Sequence, residues 1–195
     1  MPLLARPRIL VFAGSVRSGA LSQKVADIAA KEIALLDAEV TKISLIDYPL
    51  PIYNGDFEKE KGIPENALKL GRLLAAHQGV FVSTPEYNNS VPPLLKNTID
   101  WVSRIRPDRD GIKYRHRVYG VGGSSDGFIG GARALIDCRR ILQTGWGAIL
   151  IPEKIEVSRA QEAFNESGEF IAEGPSKLMK NLARSLVTLA QRLAD

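Results

Sequence analysis

The sequence predicts an α/β fold: a mostly parallel five-stranded sheet with helices on both faces. Three observations carry this. Short apolar runs of strand length alternate with longer stretches whose apolar residues recur at helical spacing. The first run, Arg8-Ile9-Leu10-Val11-Phe12-Ala13, is apolar without alternation, the pattern of a strand buried on both faces of a parallel sheet. The segments after several strands are rich in Gly, Pro, Ser and Asn, which favour turns over regular structure. At 195 residues the chain has the size of one domain with a substantial core. It shows no internal repeat, low-complexity tract or linker, so residues 1–195 read as a single domain.

Taken in order, Met1 to Pro7 is a short basic lead-in expected to fray. The first strand is broken by Gly14-Ser15-Val16-Arg17-Ser18-Gly19. From Leu21 the pattern turns helical, with Leu21, Val25, Ile28, Ala29, Ile33 and Leu36 on one face. Val40 to Ile46 alternates loosely and is expected to be the second strand. Asp47 to Pro64, rich in Pro, Gly and charge, reads as a loop of a length that is often functional. Glu65 to His77 is a second helix with Leu68, Leu70, Leu73, Leu74 and Ala75 on a broad face. Gly79 to Val82 is a third strand, and Pro85, Tyr87, Asn88 and Asn89 keep the next residues out of regular structure.

Pro92 and Pro93 open a third helix, where a missing N–H costs nothing, and Leu94, Leu95, Thr98, Ile99 and Val102 form its stripe. Arg104 to Arg117, basic with Asp108 and Asp110 interspersed, reads as a solvated loop. Val118 to Gly122 is the fourth strand. A helix follows from Gly131 to Thr144, with Ala134, Leu135, Cys138, Ile141 and Leu142 inward. Ala148 to Ile151 is the fifth strand, and Ala160 to Pro175 is irregular. Ser176 opens a last helix whose stripe is Leu178, Leu182, Leu186, Leu189 and Leu193. Strand order 2-1-3-4-5 suits this count.

Composition excludes several classes. An apolar fraction of 45% and a charged fraction of 25% are those of an ordinary globular protein. No apolar run reaches the length of a membrane span, and the start lacks a signal-peptide core. Cys138 is the single cysteine, which excludes an internal disulfide and fits a cytoplasmic location. The net charge of +4 suits an anionic ligand such as a nucleotide, but the basic patch lacks the interleaved aromatics of a nucleic-acid groove. His77 and His116 read as structural or surface residues, and Cys138 as a small core residue.

Function is expected where three loops leave the C-terminal edge of the sheet. The first, Gly14 to Ser22, resembles a phosphate cradle at a helix start: Ser15 and Ser22 can donate hydroxyls, and Arg17 a charged fork. It is not a P-loop, since no Gly-Lys-Ser/Thr follows. It is not a dinucleotide fingerprint either: Gly-x-Gly-x-x-Gly fails at Val16, and read from Gly120 it fails at Ser125. The second runs through Pro85, Glu86, Tyr87 and Asn88. The third, Gly122 to Gly131, offers small residues against which something flat could lie.

Two motifs make the reading sharper. Strand-G-S-x-R-x-G at Gly14 to Gly19 and P-E-Y-N-x-S-x-P-x-x-L-K-N-x-I-D-W from Pro85 to Trp101 resemble the NADPH-dependent FMN reductase family. Its relatives include chromate and quinone reductases and some azoreductases. The S-S-x-G-x-x-G-G-A-R of Ser124 to Arg133 is similar to the same family, and the resemblance runs from about Ile9 to Ile151. It implies a flavodoxin-like three-layer sandwich holding FMN, with NAD(P)H as co-substrate and a small oxidant such as a quinone, free flavin, azo compound or chromate.

By matching positions, Ser15, Arg17 and Ser22 would hold the FMN phosphate. Pro85, Glu86, Tyr87 and Asn88 would run along the ring, and Gly123, Ser124 and Ser125 beside its other part. The flavin carries the chemistry, so no catalytic side chain and no metal is expected. The resemblance also implies a homo-oligomer, a dimer or a homotetramer, with the helix of Asp100 and Trp101 near a subunit interface. Relatives often read R-x-G-S-x-N where this chain has Arg17-Ser18-Gly19-Ala20-Leu21-Ser22, so the phosphate grip is expected to lean on Arg17, Ser15 and backbone donors. Tyr53 and Tyr87 could frame the pocket, and Arg104 and Arg106 could meet the nicotinamide nucleotide's phosphates. Two competing readings are a flavodoxin-type electron carrier and an FMN-binding regulatory module; NADPH consumption with quinone or free flavin separates both from a reductase.

Overall fold

The computed structural model describes residues 6–193. Five parallel strands, β1 (Arg8–Ala13), β2 (Glu39–Lys42), β3 (Gly79–Pro85), β4 (Val118–Ser124) and β5 (Ile149–Val157), lie in the order β2-β1-β3-β4-β5. This is the expected flavodoxin-like topology. The order reverses between β1 and β3, the switch point at which open α/β sheets form a crevice. Register aligns the strand ends there: Ala13 pairs with Ser83, Ser83 with Gly122, and Pro85 with Ser124. The loops after β1, β3 and β4 therefore leave side by side.

Alternation along the strands divides the core in two. Ile9, Val11 and Phe81 pack with α1 (Leu21–Ala34) and α7 (Glu173–Arg192) on one face. Leu10, Phe12, Val80 and Val82 pack with α3 (Glu65–Ala76), α4 (Pro93–Ser103) and α6 (Ala132–Trp146) on the other.

Several boundaries differ from expectation. β2 stops at Lys42; Ser44 then caps a 3-10 turn, Leu45–Asp47, that drops Leu45 into the core. The expected loop from Asp47 to Pro64 contains a helix, α2 (Gly55–Lys61). Asn54 Oδ1 accepts from the N–H groups of Asp56 and Phe57, with Asp56 and Glu58 in the first turn and Lys59 and Lys61 in the last. None of its residues is buried, so it has no apolar period to read. A single turn of helix, α5 (Pro107–Asp110), interrupts the basic loop.

β4 and β5 run longer than expected. A register shift between Tyr119 and Val121 lets β5 continue past Pro152, which an edge strand tolerates, to Val157. α7 starts at Glu173, and its buried face is Met179, Leu182, Ala183, Leu186, Val187 and Ala190. Leu178 and Leu193 lie outside that face, exposed by 50% and 47%. Counting leucines alone overlooked the small residues that sit closest to the sheet. Within the lead-in, Arg6 pairs with Asp37 at the surface and the Pro7 carbonyl accepts from Glu39 N–H. The rest of the lead-in lies outside the described residues.

His77, at the end of α3, is structural. Its Nδ1 lies 2.6 Å from the Leu73 carbonyl and its Nε2 2.8 Å from Thr41 Oγ1, so a neutral ring donates to the first and accepts from the second. Burial lowers its pKa below 6.5, outweighing the Leu73 hydrogen bond, with Arg8 adding to the depression. The unfolded chain then binds more protons, so stability rises with pH. This contribution is complete above pH 6.5 and is lost as pH falls toward the lower folded value. Urea titrations from pH 8 to pH 5.5 are expected to show a smaller acid loss for His77→Gln than for wild type; equal losses would refute the assignment.

Candidate functional site

Each loop at the switch point has a definite local cause. In the first, Gly14 N–H donates to the Ser83 carbonyl at 2.7 Å, which ties the loop's start to β3. Ser15 Oγ accepts from Arg17 N–H at 3.3 Å, and Ala20 N–H donates to the Arg17 carbonyl at 3.0 Å. The chain enters α1 at Ala20, which supplies no side-chain cap. A helix leaves its first N–H groups without internal partners, so this end suits an anion.

The second loop is a tight hairpin. Tyr87 and Ser90 exchange backbone hydrogen bonds at 2.9 and 3.0 Å, and Asn88 and Asn89 between them have φ of 48° and 63°. Positive φ at both central positions is the requirement of a type I′ turn, which asparagine tolerates. The Tyr87 ring is 43% exposed, and its hydroxyl lies 3.4 Å from Ser15 Oγ, so the first two loops touch. Glu86 N–H donates to the Ser124 carbonyl, and Glu86 Oε2 accepts from the N–H groups of Arg133 and Ala134.

The third loop is held from outside. Ser125 N–H donates to the Val157 carbonyl, and Ala160 N–H donates to that of Ser125. The Asp126 carboxylate accepts from both the backbone and side chain of Gln161. Gly130 and Gly131 turn the chain into α6 at φ of 65° and 81°.

These loops enclose a cleft of about 200 Å³. It is lined by the expected Ser15, Arg17, Ser22, Pro85, Glu86, Tyr87, Ser124 and Ser125, and also by Ala20, Leu21 and Asp126. Two expected residues do not line it. Asn88 sits in the hairpin turn, and a Cβ on Gly123 would lie 3.0 Å from the Gly131 carbonyl oxygen, so Gly123 serves the packing of α6 against β4. Asp126 was missed because its signal, a carboxylate inside a glycine-rich loop, resembles an ordinary turn residue.

The cleft has unmet hydrogen-bonding capacity. Ser22 Oγ and Ser124 Oγ are buried and have no hydrogen-bond partner among the described residues. Both residues line the cleft, although Ser83, Tyr114 and Tyr119 carry unpartnered buried hydroxyls away from it. With the uncapped start of α1, Arg17 beside it and backbone on the facing wall, this donor set fits a phosphorylated planar cofactor such as FMN.

Other candidates have different tasks. Tyr53 meets the Trp101 ring edge-on at 5.0 Å and donates to Glu58, so it packs within its own segment. Arg104 Nε donates to both Glu58 oxygens at 3.0 and 2.8 Å. Burial raises the Glu58 pKa, but hydrogen bonds from Arg104 and Tyr53 and the Arg104 charge outweigh it and hold the carboxyl below its usual range. Glu58 and Arg104 line a second hollow of about 600 Å³ that shares no lining residue with the cleft. Arg106 N–H donates to Asp110. Trp101 is fully buried within this chain. Cys138 is buried and its thiol is pushed up to about 12, so it stays protonated in the core. No helix among the described residues is long and apolar enough to cross a membrane.

Comparison with known proteins agrees with this arrangement. Residues 7–162 match the family described as NADPH-dependent FMN reductase. The chain is 38% identical over 136 residues to the quinone reductase of Escherichia coli (strain K12), spanning 69% of each chain. It is 29% identical over 187 residues to an NAD(P)H-dependent FMN reductase of Pseudomonas aeruginosa, covering 95% of this chain and 96% of that one. Among solved structures, FerB, a flavoenzyme NAD(P)H:(acceptor) oxidoreductase from Paracoccus denitrificans, superposes with a TM-score of 0.77 at 25% identity, covering 95% of this chain and 98% of that one. The sheet order, the loops at the switch point and the sequence match agree: the chain belongs to the NADPH-dependent FMN reductase family, and with it to the flavin-dependent oxidoreductases.

Proposed function

We propose that this protein holds FMN in the cleft and catalyses NAD(P)H + H⁺ + oxidant → NAD(P)⁺ + reduced oxidant, the oxidant being small and quinone-like, with free flavin, azo compounds and chromate as further candidates. The geometry of the cleft carries the reading: Ser15, Arg17 and Ser22 meet there at the uncapped start of α1, facing Pro85 to Tyr87 and Ser124 to Asp126. FMN, when bound, supplies the two-electron chemistry, accepting hydride from the nicotinamide and serving both half-reactions of a ping-pong cycle.

The chain's own residues bind and orient. Ser15, Arg17, Ser22 and the first turn of α1 would hold the phosphate, with Ala20 contributing no hydroxyl. Pro85, Glu86 and Tyr87 would run along the ring, with Ser124 and Ser125 on the opposite wall. None of the three loops contains a histidine, which suits a site whose residues position a cofactor and leave proton transfer to water. The resemblance that supports FMN also supports a dimer or tetramer, which light scattering tests, and the single cysteine, Cys138, supports a cytoplasmic location.

Reconstitution with FMN followed by steady-state rates with NADPH and NADH, across quinones, free flavin, azo dyes and chromate, tests the function. A yellow protein that oxidises NAD(P)H only when an acceptor is present is expected; protein that takes up no FMN sinks the reading. Arg17→Ala is expected to weaken FMN binding about tenfold by removing a charge-assisted contact at the exposed rim. Unchanged FMN retention on dialysis would count against Arg17 as a phosphate ligand.

A further inference from the structure

Glu86 lies in the loop that borders the cleft, yet its carboxylate is engaged with the protein. Oε2 accepts from the backbone N–H groups of Arg133 and Ala134 at 3.1 Å each. These are the second and third residues of α6, whose N-cap, Gly131, contributes no side-chain cap. In the other direction Glu86 N–H donates to the Ser124 carbonyl at 3.3 Å. Asn89 Oδ1, three residues on, accepts from Arg133 Nη1 at 3.1 Å. One residue thus bonds the β3 loop to the end of β4, which lines the opposite wall, and to the start of α6 beyond it.

We infer that Glu86 is a positioning residue: it sets the spacing between the two walls of the cleft and cancels the positive end of α6 beside it. The inference rests on the FMN reading for its consequences, though not for its geometry. A capping carboxylate at N2 and N3 satisfies two N–H groups that the helix cannot. A helix start also carries about half a positive charge, which a full negative charge offsets. Without Glu86 the wall would loosen and the field in the cleft would become more positive. Reduced FMN is more negative than oxidised FMN, so a more positive field favours the reduced form. Glu86 therefore trades some reduction potential for a fixed wall.

Glu86→Ala removes the acceptor and the charge; Glu86→Gln keeps an acceptor oxygen and removes only the charge. In FMN-free protein, Glu86→Ala is expected to speed amide exchange at Arg133 and Ala134 at least tenfold, with Glu86→Gln restoring most of the protection. FMN affinity is expected to fall at least tenfold in Glu86→Ala and much less in Glu86→Gln. The midpoint potential of FMN bound to Glu86→Gln is expected to move to more positive values. Unchanged exchange in Glu86→Ala overturns the positioning role whether or not FMN binds, and an unchanged potential in Glu86→Gln overturns the charge cancellation. If Glu86→Ala does not fold, Glu86→Asp, whose carboxylate is one methylene short of the α6 N–H groups, takes its place in the exchange measurement, and unchanged exchange there overturns the positioning role. Wild-type protein that takes up no FMN while the exchange difference persists sinks the proposed function and upholds the positioning.

Discussion

Replacing Gly131 with alanine is expected to destabilise the fold by about 2–5 kcal/mol and to abolish FMN retention. Gly131 has φ of 81°, where any residue with a Cβ is strained. A Cβ there would also lie 2.9 Å from Ser124 N and 3.2 Å from the Ser124 carbonyl carbon and oxygen. All three atoms are backbone, which cannot swing aside as a side-chain tip can. Ser124 must move, and with it the buried hydroxyl that lines the cleft. The clash thus acts on stability and on the site through one residue. Urea unfolding with and without FMN measures both, and a variant with wild-type midpoint and retention would show that the turn adapts. Gly19 is a useful control. Its φ is 68°, but a Cβ meets nothing within 4 Å, so Gly19→Ala is expected to lose only the backbone part of that penalty.

Trp101→Ala is expected to cost about 3–5 kcal/mol, the range for truncating a large buried aromatic. Trp101 is fully buried, and Tyr53 and Phe57 meet its ring edge-on at 5.0 and 5.9 Å. Its Nε1 donates to the Pro51 carbonyl at 2.7 Å. The loss falls on the segment from Pro51 to Lys61, which has no buried residue in α2 to hold it otherwise. Limited proteolysis should therefore cut near Asn54–Lys61 first, before the sheet unfolds. Trp101→Phe is expected to be much milder, because Asn97 Nδ2 also donates to the Pro51 carbonyl at 2.9 Å and leaves it partnered. Equal damage from the two substitutions would mean that the indole N–H, not the ring's bulk, holds the segment.

Much of the fold was legible because burial writes a period. The apolar run Ile9 to Ala13, the stripe Leu95, Ile99 and Val102, and the punctuation by Pro92 and Pro93 all translate into the observed elements. What escaped is what burial does not mark. α2 has no buried residue, and its ties, the Asn54 cap, the Arg104–Glu58 pair and Phe57 against Trp101, leave no apolar period. The far half of β5 follows from a register shift that only its pairing with β4 defines. On α7, Met179, Ala183 and Ala190 face the core while Leu178 does not, since position around the helix decides contact and hydrophobicity alone does not.

The candidate site was legible for a different reason. Its loops carry residue types needed for backbone shape and donation, and those types are read directly. Ser15, Arg17, Ser22, Pro85, Tyr87 and Ser125 meet at the cleft because parallel register brings three strand ends together. Glu86 shows the limit. Its place in the loop was readable, but its partners, 47 and 48 residues away, were not.

The registry of β1, β3 and β4 also makes cofactor occupancy a gauge of global folding. The cleft's walls come from strands joined across Ala13–Ser83 and Pro85–Ser124, so no partly folded form that lacks one of these pairings retains the cleft. A ligand that recognises only the complete sheet adds its binding free energy to the whole cooperative transition, about 2.7 kcal/mol at a hundred times its Kd. Cellular flavin supply would then set how long the chain survives proteolysis, as well as how much of it is active.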